Sequence, residues 1–484
     1  MANNNTGNIR VRFAPAPTGM MHLGNIRTAL MNYLFARKYN GTFVLRIEDT
    51  DTQRNFDPQA EQIQKDLHWL GFIPDEGPSS GGPYKPYFQS LRLTIYQEKL
   101  DALKQLEAVY RCFCTQEELE KKKKHQELLR MAPRYDRTCM RLSDAVIKEK
   151  LEQQNPYIWR FKLNHEQSVK VNDISHGTTI FELKNFSDFP LTRTDGTFTF
   201  LFANFVDDFT MHISHVFRGE DHKSNTANQA ALYEIFKAPL PHYWHLPILC
   251  NSEGKKLSKR DFGFSLNDLK NAGFLPEAIC NYLGIIGGSY PQEIMNLDEL
   301  AHTINLEHPS VTGQIKYDVE KLKWINHKWI AKLSVTELAH ACRPFLQADY
   351  PILANLDDPS LGALLAHIQT DLVLLQDSTD LLSFYKQRPV LSKADIRACF
   401  IETPTTEFID MLEKEVETFS DAQSFINILK KDVKKNGISL KELFWFLRLT
   451  LMGKTAGPAI HSLIEMLGIS EAKIRIAHGL SLLK

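Results

Sequence analysis

Two short stretches of this chain hold the residues best suited to chemistry. The first is "RVRFAPAPTGMMHLGNIRTALMNYLF", beginning at Arg10, where a lone histidine, His22, and Gly24 stand between an extended run and a helical one. The first N–H groups of a helix lack intrahelical partners and attract anions, so this loop is predicted to bring His22 and Gly24 to a phosphate-binding helix end. The second is "GKKLSKRDFGFS", which gathers Lys256, Ser258, Lys259 and Arg260 much later in the chain. Taken alone, that run reads as a solvated, charged loop.

The flanking patterns say which elements must position these residues. Ile9, Val11 and Phe13 alternate with Arg10 and Arg12, which is strand periodicity. Ile26, Ala29, Leu30, Tyr33 and Leu34 form the stripe of an amphipathic helix that ends near Gly41. A second strand, "TFVLRIEDTD", and a helix, "DPQAEQIQKDLHWLGF", complete a strand–helix alternation over 9–75 that predicts a parallel α/β sheet. After the loop "DEGPSSGGPYKPY", residues 100–185 change character. A capping box of Thr115 and Glu118 opens a helix through "KKKKHQELLR", and short strands follow at "YIWRFKLN" and "TTIFEL", which predicts an α+β insertion. The α/β pattern resumes at "FTFLFANFVDD" and "HISHVFRGEDH". Beyond "KKLSKR" the chain turns helical: Ser265 and Asp268 cap one helix, Gly273 ends it and Pro276 begins the next. Trp324, Trp329 and Trp445, spaced helically among Leu and Ile, are expected in the core, and Lys121 to Lys124 on a solvated helix face.

Bulk composition narrows the class. With 484 residues the chain is long enough for roughly three domains. Its 57 basic and 58 acidic residues exclude a global basic field, so any nucleic-acid contact must use local patches. Seven cysteines spread over this length do not make a disulfide framework, and no apolar stretch has membrane-spanning length. A cytoplasmic protein with no membrane partner is expected.

Together, His-Leu-Gly-Asn starting at His22 and Lys-Leu-Ser-Lys starting at Lys256 resemble the two signatures of class I aminoacyl-tRNA synthetases. "RFAPAPTG", "RTALMNYLFAR", "LRIEDTD", "PYFQSLRLTIYQE", "VDD", "FRGEDH" and "LKWINHKWI" narrow the likeness to the bacterial-type glutamyl-tRNA synthetase family, over essentially the whole chain. The resemblance implies a Rossmann-like parallel-sheet catalytic domain in two halves, 1–99 and 186–245, around the α+β insertion 100–185 that contacts the tRNA acceptor end. A helical stem-contact region, 246–325, and an all-α anticodon-binding region, 326–484, would follow. It implies ATP-dependent attachment of L-glutamate to the terminal adenosine of tRNA(Glu) through glutamyl-adenylate, with Mg²⁺ accompanying ATP and a monomer doing the work. Two alternatives stay open: a form that also charges tRNA(Gln), and a catalytically silent RNA-binding paralogue.

By the same resemblance, His22 donates to phosphate oxygens with the first-turn amides behind it, and Gly24 lets adenine or ribose lie against the backbone. Lys256 and Lys259 neutralise the triphosphate, and Thr18, Asp221, Leu257 and Ser258 complete the ATP set. A guanidinium carries only donors and so selects a carboxylate over an amide. Arg12 and Arg218 are accordingly expected to hold glutamate, with Glu48 on its amino group and Ala16, Phe200 and Asn204 around it; which arginine takes which carboxylate stays open. Ala16 and Phe200 depart from the family's serine and tyrosine, removing hydrogen-bonding capacity. Asp49 and Asp51 are read equally as substrate contacts or as supports of the fold. Cys112, Cys114 and Cys139 stand where some relatives bind zinc, but Arg141 replaces the fourth ligand, so metal-free thiols are expected. Arg448, with Lys454, Gly457 and Pro458, is expected to read anticodon bases.

Overall fold

The computed structural model describes residues 9–50, 55–258, 260–303, 313–433 and 438–484. They fall into two compact units: residues 1–268 with 280–319, and residues 269–279 with 320–484. The first unit carries, in chain order, β1 (Arg10–Phe13), α1 (Leu23–Lys38), β2 (Thr42–Leu45), α2 (Glu61–Trp69), α3 (Leu93–Gln105), β3 (Val109–Cys112), α4 (Gln116–Leu128) and α5 (Asp144–Glu152). There follow β4 (Ile158–Phe161), β5 (Ser168–Asp173), β6 (Gly177–Glu182), α6 (Phe200–Thr210), β7 (His215–Gly219), α7 (Lys223–Ile235), β8 (His242–Leu246) and β9 (Leu249–Cys250).

β1 runs parallel to β2, with Arg12 opposite Val44, and β7 runs parallel to β8, with Arg218 opposite His245. β1 and β7 lie side by side, joined at their base by the Ser214 N–H donating to the Arg10 carbonyl at 3.0 Å. The order β2–β1–β7–β8 reverses direction between β1 and β7, and a crevice at such a switch point, beyond the carboxyl ends of the strands, is where open α/β sheets bind ligands. Arg12 and Arg218 therefore sit at the mouth of this crevice. The insertion contributes the antiparallel pair β3–β4 and the hairpin β5–β6, and β5 meets β8 through one parallel bridge, Asp173 to Tyr243. The capping boxes expected at Thr115–Glu118 and Ser265–Asp268 both form, and Gly273 follows its helix at φ +87°.

The alternation read in β1 separates two faces that are both buried. Val11 and Phe13 are buried apolar residues, as are Phe43 and Phe217, while Arg10 and Arg12 are buried as well. A buried guanidinium needs an acid. Arg10 makes a two-pronged contact with Glu76 at 2.7 and 2.8 Å, and Arg12 reaches Asp208 at 3.1 Å. Arg46 holds Asp208 at 2.7 Å and Glu48 at 3.2 Å, and Arg92 holds Asp207 at 2.6 Å.

His215, at the start of β7, packs on Phe35 and stacks on His242 at 5.1 Å. Burial, reinforced by the His242 charge, pushes its pKa down to about 4. The unfolded chain takes up this proton near pH 6.5, so between 6.5 and about 4 the unfolded state binds more protons and each step of acidification costs stability. Thermal unfolding of a His215→Phe variant is expected to fall less steeply across that window than that of the parent. Parallel curves would remove His215 as a cause.

Among its described residues the second unit has helices joined by loops and no strand. Its helices include Val335–Leu346, Leu440–Met452, Ile460–Leu467 and Ile469–Ser481, with capping boxes at Ser334–Glu337, Ser392–Asp395 and Ser439–Glu442. Leu338, Leu365, Phe446, Leu447, Ile464 and Ile476 are among its core residues. The expected tryptophan core is not there. Trp324 is 41% exposed, and Trp329 and Trp445 are only partly buried. Lysines one helical turn away lie over all three rings: Lys328 over Trp324, Lys332 near Trp329 and Lys441 over Trp445 at 4.5 Å. Lysine stems covering an indole satisfy its apolar area from the solvent side, which periodicity alone cannot distinguish from core packing.

Candidate active site

α1 begins at the crevice, and its first turn is arranged differently from the sequence expectation. His22 is the N-cap: Gly24 and Asn25 donate their N–H groups to its Nδ1 at 3.1 and 3.3 Å, and Asn25 Oδ1 accepts from the His22 N–H in return. The Leu23 N–H is taken by the Phe264 carbonyl and the Ile26 N–H by the His22 carbonyl, both at 3.0 Å. All four first-turn donors thus have partners. The anion-binding amides expected behind His22 are not free, because the imidazole folds back over them. Gly24 permits this: a Cβ there would stand 3.1 Å from the ring carbon Cε1 and from Nδ1.

This cap dictates the tautomer. Nδ1 accepts two N–H groups, so the proton resides on Nε2. Burial, with the Lys256 charge next in weight, lowers the His22 pKa and keeps the ring neutral. His22 is a fixed single donor, stacked on Phe264 with ring centroids 5.1 Å apart.

A cavity of about 300 Å³ opens beside it, lined by His22, Gly24, Arg27, Asp221, His222, Lys256 and Leu257, with Leu246 to Leu249 as an apolar wall. The histidine loop and the lysine loop therefore meet at one cavity. A bridge between Cys250 and Lys256, and the Leu257 N–H donating to the Leu249 carbonyl, fold the lysine loop back onto β9. Lys256 Nζ rests on Asp221 Oδ2 at 3.2 Å. Burial works to raise the Asp221 carboxyl, but the hydrogen bond and charge of Lys256 and the charge of His222 hold it below the ordinary range. The Ser258 N–H and hydroxyl both turn to Asp261, at 2.8 and 3.0 Å. Lys259 lies outside the described residues, as does Asp51. Thr18 lines a separate, adjoining cavity of about 560 Å³ with Ala16, Gly19 and Met20; His22 and Asn25 border both.

A further cavity of about 310 Å³ collects Arg12, Ala16, Glu48, Phe200, Asn204 and Arg218, and shares Asn25, Thr28, Gly219 and His222 with the first. Its two arginines differ. Arg12 is spoken for: Asp208 takes Nε and Nη2, and the Phe217 carbonyl takes Nη1. Arg218 is only 6% exposed and has no acidic partner among the described residues. Its Nη1 donates to Gln229 Oε1 at 2.8 Å, its Nη2 to Thr226 Oγ1 at 2.7 Å, and Nε has no acceptor among the described residues. Burial, with Tyr243 opposing and the Arg12 charge assisting, brings its pKa down to about 10. Glu48 faces it across the cavity, its carboxyl pushed upward by burial against the pull of Arg46 and Arg12. Asn204 Nδ2 donates to Glu48 at 2.6 Å, and Gln229 Nε2 donates to Asn204 Oδ1 at 2.9 Å, so one chain of amides links Arg218 to Glu48. Asp49 takes a structural place, accepting from the Ser90 N–H at 2.8 Å.

Sequence reading missed Gln229, Thr226, Asp208 and Phe264. The string "VDD" was a signal for Asp208. Thr226 and Gln229, three apart on α7, were legible only as one helix face.

In the insertion, the sulfur atoms of Cys112, Cys114 and Cys139 all lie within 4.8 Å of one another, the one such group among the described residues that could hold a metal ion. Tyr135 Oη is 3.3 Å from Cys112 Sγ, while Arg141 turns away to the Asp136 carbonyl. In the second unit, Arg448 Nε donates to the Pro458 carbonyl at 3.0 Å, pinning the loop that carries Gly457 and the exposed Lys454.

Comparison with known proteins adds the rest. The family described as class I tRNA synthetases (E and Q), catalytic domain, matches residues 8–324, and an anticodon-binding domain family matches residues 337–480. The chain is 34% identical to a glutamate–tRNA ligase of Finegoldia magna over 98% of its own length and 99% of that protein's. It is 36% identical to glutamate–tRNA ligase 1 of Pseudothermotoga lettingae, covering 97% and 99% respectively. A crystal structure of a glutamate tRNA ligase from Elizabethkingia meningosepticum, in complex with its amino acid, superposes with a TM-score of 0.87 at 31% identity, covering 99% of this chain and all of that one.

Proposed function

The chain belongs to the class I tRNA synthetases of the E and Q group, and from that premise we propose how its own residues carry out the reaction. Like the glutamate–tRNA ligases it matches end to end, it is an enzyme that uses ATP to attach glutamate to tRNA, with a parallel-sheet catalytic domain followed by a helical anticodon-binding domain.

Arg218 is the observation that carries the assignment of the substrate pocket. Counted as ionised, Arg12, Arg46 and Arg92 face Glu48, Asp207 and Asp208 one for one, and Arg218 is left over. Free glutamate has two carboxylates and one ammonium, hence one net negative charge; glutamine has none. The pocket's surplus cation matches the first and not the second. A carboxylate of glutamate pairs with Arg218, its ammonium with Glu48, and Arg12 stiffens the wall through Asp208. Phe200 and Ala16 add shape without hydrogen bonds.

The adjoining cavity takes ATP, its adenine against the apolar wall at Leu246–Leu249 and Gly24, its phosphates toward His22, Lys256, Lys259, Leu257 and Ser258. Thr18 borders the phosphate side. The α-carboxylate of glutamate attacks the α-phosphorus and pyrophosphate leaves; the terminal adenosine of tRNA then takes the glutamyl group and AMP leaves. Such a transfer needs positioning and charge more than covalent help. The His22 Nε2–H supplies a donor that needs no reorganisation, and Lys256 exchanges Asp221 for phosphate oxygens. Asp221 is the one carboxylate lining the cavity among the described residues, too few ligands for a site held by protein alone. Asp221 would therefore hold Mg²⁺ only together with the ATP phosphates, where it would supply charge neutralisation. Three thiols fall one N or S ligand short of a structural zinc, and we read Cys112, Cys114 and Cys139 as metal-free.

Residues 1–99 and 186–245 form the catalytic halves, 100–185 meets the acceptor end, 246–325 the stem, and 326–484 the anticodon, which Arg448, Lys454, Gly457 and Pro458 read. The enzyme works as a cytoplasmic monomer; all seven cysteines are free, and no described helix is long and apolar enough to cross a membrane. Aminoacylation assays with ATP and labelled glutamate or glutamine, on tRNA(Glu) and tRNA(Gln) in parallel, test this reading. Glutamate on tRNA(Glu) is expected and glutamine on neither; charging of tRNA(Gln) would assign the broader form. Failure to acylate any tRNA with glutamate would overturn the proposal.

A further inference from the structure

Arg218 is tethered from behind by a buried relay that leads away from the substrate cavity. Thr226 Oγ1, which accepts from Arg218 Nη2 at 2.7 Å, lies 2.9 Å from His245 Nε2. His245 Nδ1 in turn meets Asp173 at the end of β5. All four side chains are buried, and neither Thr226, His245 nor Asp173 lines the cavity.

Counting hydrogens leaves one arrangement. A guanidinium only donates and an ionised carboxylate only accepts. Asp173, ionised, can only accept, so the one proton of the neutral His245 ring is on Nδ1 and Nε2 is bare; the Thr226 hydroxyl, accepting from Arg218, therefore directs its own proton to His245 Nε2. The imidazole proton is given to Asp173. Asp173 is fit to receive it: burial disfavours its charge, yet hydrogen bonds from His245, Ser175 and His176 hold its carboxyl well below the ordinary range. Burial also lowers the His245 pKa, with Asp173 opposing and the Arg218 and Lys223 charges assisting, so the ring stays neutral.

We propose that Thr226 and His245 are positioning residues for glutamate: they orient the Arg218 guanidinium without touching the substrate. Among the described residues no acid holds Arg218, and Gln229 alone fixes only Nη1. A two-pronged carboxylate contact needs the plane of the guanidinium set before the substrate arrives. The second anchor at Nη2 sets it, and the proton order imposed by Asp173 keeps the Thr226 lone pair aimed at Arg218. This rests on the reading of Arg218 as the glutamate anchor.

The test is steady-state aminoacylation by the full chain, with glutamate and ATP varied separately. Thr226→Val keeps the shape and removes the hydroxyl; it is expected to raise the glutamate KM about 10- to 100-fold, as for loss of a hydrogen bond to a charged group. The ATP KM and kcat should stay within about twofold, the pattern of a lost substrate-binding contact. Thr226→Ser should restore the parent KM. A glutamine at 245 reaches the place of Nε2 and an asparagine only that of Nδ1, so His245→Gln should bind glutamate better than His245→Asn. Should the valine variant fail to fold, the Gln-over-Asn order decides alone. An unmoved glutamate KM in Thr226→Val, an equal rise in both KM values, or Asn matching Gln would overturn the relay. Arg218→Gln is the control: if it too leaves the glutamate KM unchanged, the anchor reading falls, whereas a raised KM there with an unmoved Thr226→Val strikes the relay alone.

Discussion

Replacing Arg218 with glutamine is expected to raise the glutamate KM by about 10²–10³-fold, the usual cost of losing one partner of a buried, hydrogen-bonded charge pair, yet to leave the free protein no less stable. The two halves have one cause. Without substrate, Arg218 is a buried cation whose Nε has no partner, and which has no acid, among the described residues, and the fold must tolerate this at a cost. A neutral side chain removes that cost together with the site's preference for an anion. Thermal unfolding with and without glutamate should therefore show an apo midpoint equal to or above the parent's, with the ligand-induced rise gone. Arg12→Gln should behave oppositely, because it breaks an existing contact with Asp208 and removes stability even without substrate. If the Arg218 variant unfolded earlier and kept its glutamate KM, Arg218 would be part of the fold and not of the substrate site.

The second large effect is expected at His22. Its ring has two duties on its two nitrogens: Nδ1 caps α1, and Nε2–H is the donor facing the cavity. Asparagine is a good N-cap but has nothing at the Nε2 position. His22→Asn should keep the folded protein intact while kcat falls by about 10²–10³, the typical cost of one preorganised donor. His22→Ala should lose a similar rate and in addition about 1 kcal/mol of stability with the cap. Rates by aminoacylation and stability by denaturant unfolding separate the two duties; an asparagine variant with near-parental kcat would leave His22 as a cap and nothing more. The pH dependence has a definite sign. The His22 pKa is lowered, by burial first and Lys256 second, so the neutral capping form persists down through the ordinary histidine range. Acidification through the lowered pKa protonates Nδ1, breaks both cap bonds and removes activity, a loss that His22→Asn cannot show.

Much of this protein was legible in its sequence, and the legible part is local. The alternation around Val11, the stripe from Ile26 to Leu34, the boxes at Thr115–Glu118 and Ser265–Asp268, and the stop at Gly273 all formed where the pattern put them. Each depends on contacts within a few residues, so spacing suffices to determine it. The two signature stretches, and the strings between them, sufficed to recognise the family.

Which partner each charged group takes was decided only by the folded chain. Arg12 and Arg218 look alike in sequence, each near the end of a strand, yet Arg12 meets Asp208 while Arg218 meets an amide and a hydroxyl. The first turn of α1 looked open to phosphate until the carbonyl of Phe264 and the ring of His22 occupied it. Trp324 fits a core stripe, yet the helix turns it outward. The reason is common to all three. Periodicity tells which face of an element a side chain occupies, but not what lies opposite. That is set by contacts between segments far apart in the chain, where one arginine finds a carboxylate and its twin an amide and a hydroxyl.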